Sequence, residues 1–351
     1  MYNTYVKHLF IFTFVSVALF SAVLFGSQQI FFAREAALEA QLEASVVQTR
    51  VMVVEAQQQF FWEHPGVSLL FVGDVMLSRA VGAQMRKRQD YLFPFRLAAE
   101  NLQAYDITFG NLEGPLSSRG TNQGSIYSFR ADPSAIEGLI YGGFDVMSVA
   151  NNHILDWGVS ALSDTVSILD KNGIIPVGAG IDFAQANNPR MITRNGITAA
   201  FLAYTNLYPQ SLEAEAHTPG VSAWDVEEIK SDVTRIKKEK LADVVVVSVH
   251  WGNEYETQAE QWQKNFAHAL IDAGADIVVG HHPHVAQEVE EYHGGVIFYS
   301  LGNFIFDQDF SEETMRGLAG EVTVSKNGID SVITHDVFIN RVFQPTIHLK
   351  R

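Results

Sequence analysis

This sequence predicts an α/β fold with a largely parallel sheet, on three observations. Six short apolar runs, at 69–72, 107–109, 146–149, 244–249, 277–279 and 296–299, read as strands buried on both faces. Helix-like stretches at 78–88, 97–104, 134–141, 159–172, 225–241 and 258–273 lie among them, the alternation expected of parallel strands joined by crossover helices. After Ser300 the pattern changes to 321–324, 331–334 and 337–339 with Gly and Asn turns between, which predicts closing antiparallel strands.

Residues 9–26 are apolar apart from Thr13, Ser16 and Ser21, and 30–33 extend the run to about the length that spans a bilayer. One membrane helix within 1–33 is therefore expected. A cleavable signal peptide is the competing reading, against which stand the length of the run and the lack of a clear small-x-small site after it. Lys7 precedes the run, which favours a cytoplasmic N-terminus and an extracytoplasmic remainder. Residues 34–59 follow in Ala, Glu, Gln and Leu without Gly or Pro, and Pro65-Gly66 breaks the pattern. Residues 34–65 read as a helical stalk or as a surface helix packed on the domain at 66–351.

Each of the six runs ends in polar residues suited to metal binding or proton transfer. The endings supply Asp74; Asn111 and Glu113; Asn151, Asn152 and His153; His250; His281, His282 and His284; and Asn303. In open α/β sheets ligands bind outside the carboxyl ends of the strands, so these clusters are expected in one crevice. Singly, such residues are ordinary turn formers. Together they offer the carboxylate, amide and imidazole donors used by divalent Mn, Fe or Zn.

Composition sets bounds. The 351 residues suffice for one large catalytic domain behind an anchor. A formal net charge of -16 argues against a nucleic-acid partner and against indiscriminate adhesion to any polyanion, since phosphate backbones are bound by surplus Lys and Arg. The chain has no Cys, which removes thiolate ligands, Cys nucleophiles and disulfides.

Specific strings then carry a resemblance. Gly73-Asp74, Asn111-Leu112-Glu113-Gly114, Ala150-Asn151-Asn152-His153 with Asp156 and Gly158, His250-Trp251-Gly252 with Glu254-Tyr255, Gly280-His281-His282-Pro283-His284-Val285 with Gln287, and Ser300-Leu301-Gly302-Asn303-Phe304 with Phe306 occur in that order over 68–307. This part of the chain resembles the CapA family of capsule and poly-γ-glutamate biosynthesis proteins. The resemblance implies a metallophosphatase-like, calcineurin-like β-sandwich flanked by helices, here preceded by the transmembrane helix. It also implies a single-pass membrane protein whose domain lies outside the cytoplasm and handles an acidic polymer, poly-γ-glutamate or capsule, beside other polymer-synthase subunits.

Residue by residue, the resemblance makes Asp74 and Glu113 carboxylate ligands, Asn152 an amide ligand, and His250, His282 and His284 imidazole ligands of one or two divalent transition-metal ions. Two such ions about 3.5–4 Å apart would stabilise both attacking and leaving oxygens. His153 becomes the proton donor to the leaving group, with Asp156 holding its ring. The family's relatives usually show an Asp-x-His pair at the first strand, whereas Asp74 is followed by Val75-Met76. His281 competes with His282 for the ligand role. Arg130 and Glu254 are expected to contact substrate; Arg79 could bind an acidic substrate or form a surface ion pair, and Trp251 is expected in packing. The expected activity is metal-dependent hydrolysis or transfer at amide or ester bonds; the alternative is a non-catalytic accessory subunit of a synthesis or export complex.

Overall fold

Every residue of the first strand is buried, Asp74 included, because that strand lies at the centre of one sheet and is covered on both faces. In the computed structural model the described residues are 66–350 and five isolated helical positions, Gln41, Ser45, Val46, Gln48 and Met52. The expected anchor and most of the stalk lie outside them. Among the described residues no helix is long and apolar enough to cross a membrane.

The chain runs β1 (Val67–Val75), α1 (Arg79–Arg88), α2 (Ala99–Leu102), β2 (Ile107–Leu112), α3 (Ile136–Gly142), β3 (Val146–Ser148), α4 (Val159–Lys171), β4 (Ile175–Val177), β5 (Ala179–Gly180), α5 (Phe183–Asn187), β6 (Arg190–Arg194) and β7 (Ile197–Thr205). There follow β8 (Gly220–Val221), α6 (Val226–Lys238), β9 (Val244–His250), α7 (Gln261–Ala273), β10 (Ile277–His281), β11 (Val289–Tyr292), β12 (Gly295–Phe298), β13 (Asn303–Ile305), β14 (Arg316–Ser325), β15 (Gly328–Ile339) and β16 (Pro345–His348).

Two main sheets result, as the implied sandwich requires though the apolar runs alone suggested one, and β5 and β8 form a further two-stranded sheet. The first has the order β16-β15-β14-β1-β2-β3-β4, with β1 to β4 parallel and β14 to β16 antiparallel; β13 pairs parallel with the end of β1. The second has the order β11-β12-β10-β9-β7-β6, with a parallel centre and antiparallel edges.

Strand periodicity shows how the sheets are layered. Leu69 and Phe71 join a cluster with Phe109, Phe201, Val246, Val279 and Phe298, which draws on both sheets and forms the layer between them. Phe109 and Phe201 stack across it with centroids 5.8 Å apart. Leu70 and Val72, facing the other way, pack with Met85, Leu139 and Leu162 of α1, α3 and α4. Val245 and Val247 of β9 pack with Ile229 and Val233 of α6 and Phe266 and Leu270 of α7. The molecule is thus a helix–sheet–sheet–helix sandwich, each buried large side chain worth roughly 1.5–3 kcal/mol.

The six apolar runs are all central strands. The strand β7 was not among them because Ala199, Ala200 and Ala203 dilute its β-branched signal. The two closing strands expected at 331–334 and 337–339 are one, β15, which continues through buried His335, held 2.8 Å from Glu321 of β14.

Candidate metal centre

The carboxyl ends of β1, β2 and β3 in one sheet and of β9 and β10 in the other deliver their polar side chains to one buried network. Asn111 is its centre: Nδ2 donates to Asp74 Oδ1 at 2.9 Å and lies 3.4 Å from both Glu113 Oε2 and His250 Nδ1. Its Oδ1 accepts from Asn151 Nδ2 at 3.1 Å, and Asn151 also donates to Leu112 O at 2.8 Å. His250 Nε2 and Asn152 Oδ1 are 2.9 Å apart. His281 Nδ1 lies 3.2 Å from Asp74 Oδ1, and His284 Nδ1 3.3 Å from Asp74 Oδ2. His284 also reaches Asn303 Oδ1 at 3.0 Å and Glu113 Oε1 at 3.5 Å.

Backbone features fix this arrangement. A Cβ on Gly73 would meet Gly302 O at 1.9 Å, so only glycine lets the 301–303 segment cross the end of β1, where Asp74 N donates to Gly302 O at 2.9 Å. His282 and His284 have φ of 97° and 58°, conformations costly for non-glycine residues and found where function holds them. Between them, Pro283 O accepts from Tyr255 N at 2.8 Å and ties the 252–256 loop to the His loop.

One donor atom from each of Asp74, Glu113 and His250 lies within 4.8 Å of the others, and the same holds for Glu254, His282 and His284. Glu113 Oε1, both ring nitrogens of His281 and His282 Nδ1 are buried without a hydrogen-bond partner. The contact of His281 with Asp74 is close but lacks hydrogen-bond geometry. Orphaned polar atoms at this density are unusual in a native interior, and a divalent cation among the two donor clusters would take up those of Glu113 and His282. The donor set therefore fits a metal.

Electrostatics agree. Burial pushes the Asp74 carboxyl up, but the imidazoles of His281 and His284 close beside it hold it well below the usual carboxylate range. Burial, opposed by His284 and aided by Asp74 and Glu254, pushes Glu113 well above that range. Burial, with His282 beside it, pushes His250 well down, and burial with His284 beside it lowers His282 to about 3. His284 resists its own burial and rises to about 9 because Glu113 and Asp74 face it. Protons are thus shared out to neutralise packed acids, work that a cation would do instead.

His153 stands beside the donors. Its Nδ1 lies 2.8 Å from Asp156 Oδ2, its Nε2 3.8 Å from Glu113 Oε1, and its ring stacks on Phe129 with centroids 4.0 Å apart. Asp156 Oδ2 also accepts from Phe129 N at 2.7 Å. A cleft of about 200 Å³ opens here, with His153, His284, Glu254 and Tyr255 on its walls.

The structure brings together Asp74, Glu113, Asn152, His153, Asp156, His250, Glu254, His282 and His284, and His281 with them. It does not bring Arg130: that guanidinium lies 3.5 Å over the Trp157 ring and donates to Arg119 O at 3.3 Å, and the residue is not among those lining the cleft. Trp251 is fully buried in the outer core of the second sheet, as expected of a packing residue. Sequence reasoning gave no role to Phe129, which only tertiary packing brings to His153, and left unused the central placement of Asn111 and Asn303 at strand ends.

Residues 68–308 match the family described as "Bacterial capsule synthesis protein PGA_cap". "PGA biosynthesis protein CapA" of Bacillus subtilis is 36% identical over 266 residues, 75% of this chain and 69% of that one. "Probable polyglutamine synthesis accessory protein" of Mycobacterium tuberculosis is 31% identical over 251 residues, 68% of this chain and 66% of that one. The chain thus spans about two thirds of the length of these relatives. Among solved structures, the NAD nucleotidase NadN of Haemophilus influenzae is 12% identical with a TM-score of 0.47, covering 81% of this chain and 60% of that one, a likeness too slight to carry an argument about the site. Family match and identity over most of the sequence agree: the chain belongs to the bacterial capsule synthesis protein family of CapA and its relatives.

Proposed function

We propose that the protein is a membrane-anchored, extracytoplasmic hydrolase or transferase of capsule or poly-γ-glutamate synthesis, acting on amide or ester bonds of an acidic polymer with one or two divalent ions of Mn, Fe or Zn. The observation that carries this reading is the convergence of Asp74, Glu113, Asn152, His250, His282 and His284, with unpartnered buried donor atoms on Glu113 and His282, beside the His153–Asp156 pair. Family membership supports the polymer class, and the apolar run at 9–26 supports the anchor.

Those six residues would hold the ions; when bound, such an ion polarises the scissile carbonyl and acidifies water. The chain's own residues do the rest. Asp156 accepts from the Nδ1–H of His153 and, with the Phe129 ring, fixes the imidazole plane. That leaves Nε2, on the Glu113 side, to carry the proton to the departing amine or alkoxide. Asn111 holds Asp74, Glu113 and His250 in register, so that no donor must reorganise during the reaction.

The printed name of the mycobacterial relative favours a second reading, an accessory subunit whose site binds metal or polymer without turnover. Metal content of the purified protein, measured beside hydrolysis of γ-glutamyl, ester and phosphodiester substrates, separates the two. Turnover of a γ-glutamyl or ester substrate lost in His153→Ala supports the enzyme. Bound metal with no turnover of any of the panel supports the accessory role.

A further inference from the structure

A protein of net charge -16 that handles a polyanion must repel it over most of its surface and attract it at one place. The cleft beside the metal centre already carries Glu254 on its wall and Glu113 and Asp74 beneath, so the attracting charge has to be local. Among the residues lining that cleft there is a single Lys or Arg, and it is Arg79.

Arg79 is built into place. It begins α1 with φ of 48°, a left-handed conformation costly for a residue with a Cβ. Its guanidinium lies 5.5 Å from the Phe129 ring centroid and 5.9 Å from that of Tyr127, and one of its nitrogens is 3.2 Å from Asp307 Oδ1. The Asp307 side chain is 3% exposed and that of Arg79 is 37% exposed, so the acid is an internal anchor while the base keeps an open edge. Asp307 Oδ2 meanwhile accepts from Ala80 N at 2.9 Å and so binds the start of α1 from the other side. The same Phe129 stacks on His153. Arg79 and the proton donor thus share one aromatic wall.

We infer that Arg79 is the specificity residue of the cleft and receives a free carboxylate of the polymer, holding the unit next to the scissile bond against the Tyr127 and Phe129 wall. A guanidinium has five donors in a planar fork; the contact with Asp307 leaves others for a bidentate carboxylate. Asp307 acts as a positioning residue. The inference rests on the proposed acidic-polymer substrate and does not require turnover.

Calorimetric titration of the purified full chain tests it, with a short γ-linked glutamate oligomer, the same oligomer with its free carboxylates amidated, and inorganic phosphate as probes. The acid oligomer is expected to bind, more weakly as salt rises. Arg79→Gln should weaken it about 10–100-fold, the range for a charged hydrogen-bonded contact, and Arg79→Lys should restore only part. The amidated oligomer should bind both forms weakly and alike. Equal affinity of Arg79→Gln and wild type for the acid oligomer, with circular dichroism unchanged, overturns the inference. So does equal binding of acid and amidated oligomers, or phosphate competing as well as the oligomer. Arg79-dependent binding without hydrolysis would sink the hydrolase and leave this assignment standing; hydrolysis with an unchanged KM in Arg79→Gln would do the reverse.

Discussion

The Nδ1 of His153 is 2.8 Å from Asp156 Oδ2, while the opposite nitrogen of the same ring is 3.8 Å from Glu113 Oε1. One edge of this imidazole is fixed by a carboxylate and the other faces the candidate ligands, the placement that the proposed proton donor requires.

From that pairing, His153→Ala should keep its metal and lose about 10²–10⁴-fold in turnover, the range for a lost general acid. Asp156→Asn should lose less than His153→Ala, since the ring stays on Phe129. Metal analysis and steady-state rates on both variants check this. Loss of metal in His153→Ala would make His153 a ligand.

Removing metal with a chelator should lower the melting temperature, because Glu113 and His282 would be left with buried unpartnered atoms. Ligand at 100 times its Kd contributes about 2.7 kcal/mol. Thermal melts with and without chelator, and after adding back Mn, Fe or Zn, read the effect. An unchanged melting temperature would count against occupancy of these donors.

Gly73→Ala should destabilise by about 2–4 kcal/mol, because its methyl would sit 1.9 Å from Gly302 O and force apart β1 and the segment that carries Asn303. Urea unfolding measures the loss, and metal content should fall with it as Asp74 shifts. Wild-type stability would mean that the crossing is not a constraint.

How far the sequence foretold all this varied by element. Central strands other than the alanine-diluted β7 were legible because burial on both faces demands unbroken apolar runs, and the site because each run ended in a candidate ligand. The division into two main sheets followed from the resemblance, which implied a sandwich, and not from the apolar runs: β1 and β9 have the same pattern, and only packing sends Leu70 and Phe71 into different cores. Within the site, residue type foretold which candidate ligands converge, but not which cation joins them. Arg130 and Arg79 look alike in sequence, yet one is stacked on Trp157 and the other on the cleft wall. Contacts between residues so distant in the chain leave no local pattern.

The apolar run at 9–26, with Lys7 before it, leads to the expectation that the domain lies outside the cytoplasm. A reporter active only outside the cytoplasm should work when fused after Arg351, and a cytoplasm-dependent one should fail. The opposite pair of results would reverse the topology.

Elemental analysis tests most directly whether Asp74, Glu113, Asn152, His250, His282 and His284 bind metal. After reconstitution with Mn, Fe or Zn at neutral pH and removal of excess, the wild-type protein should retain one or two equivalents, and His250→Ala and His284→Ala should each retain fewer. A wild-type protein that retains none, or variants that retain as much as wild type, would contradict the account.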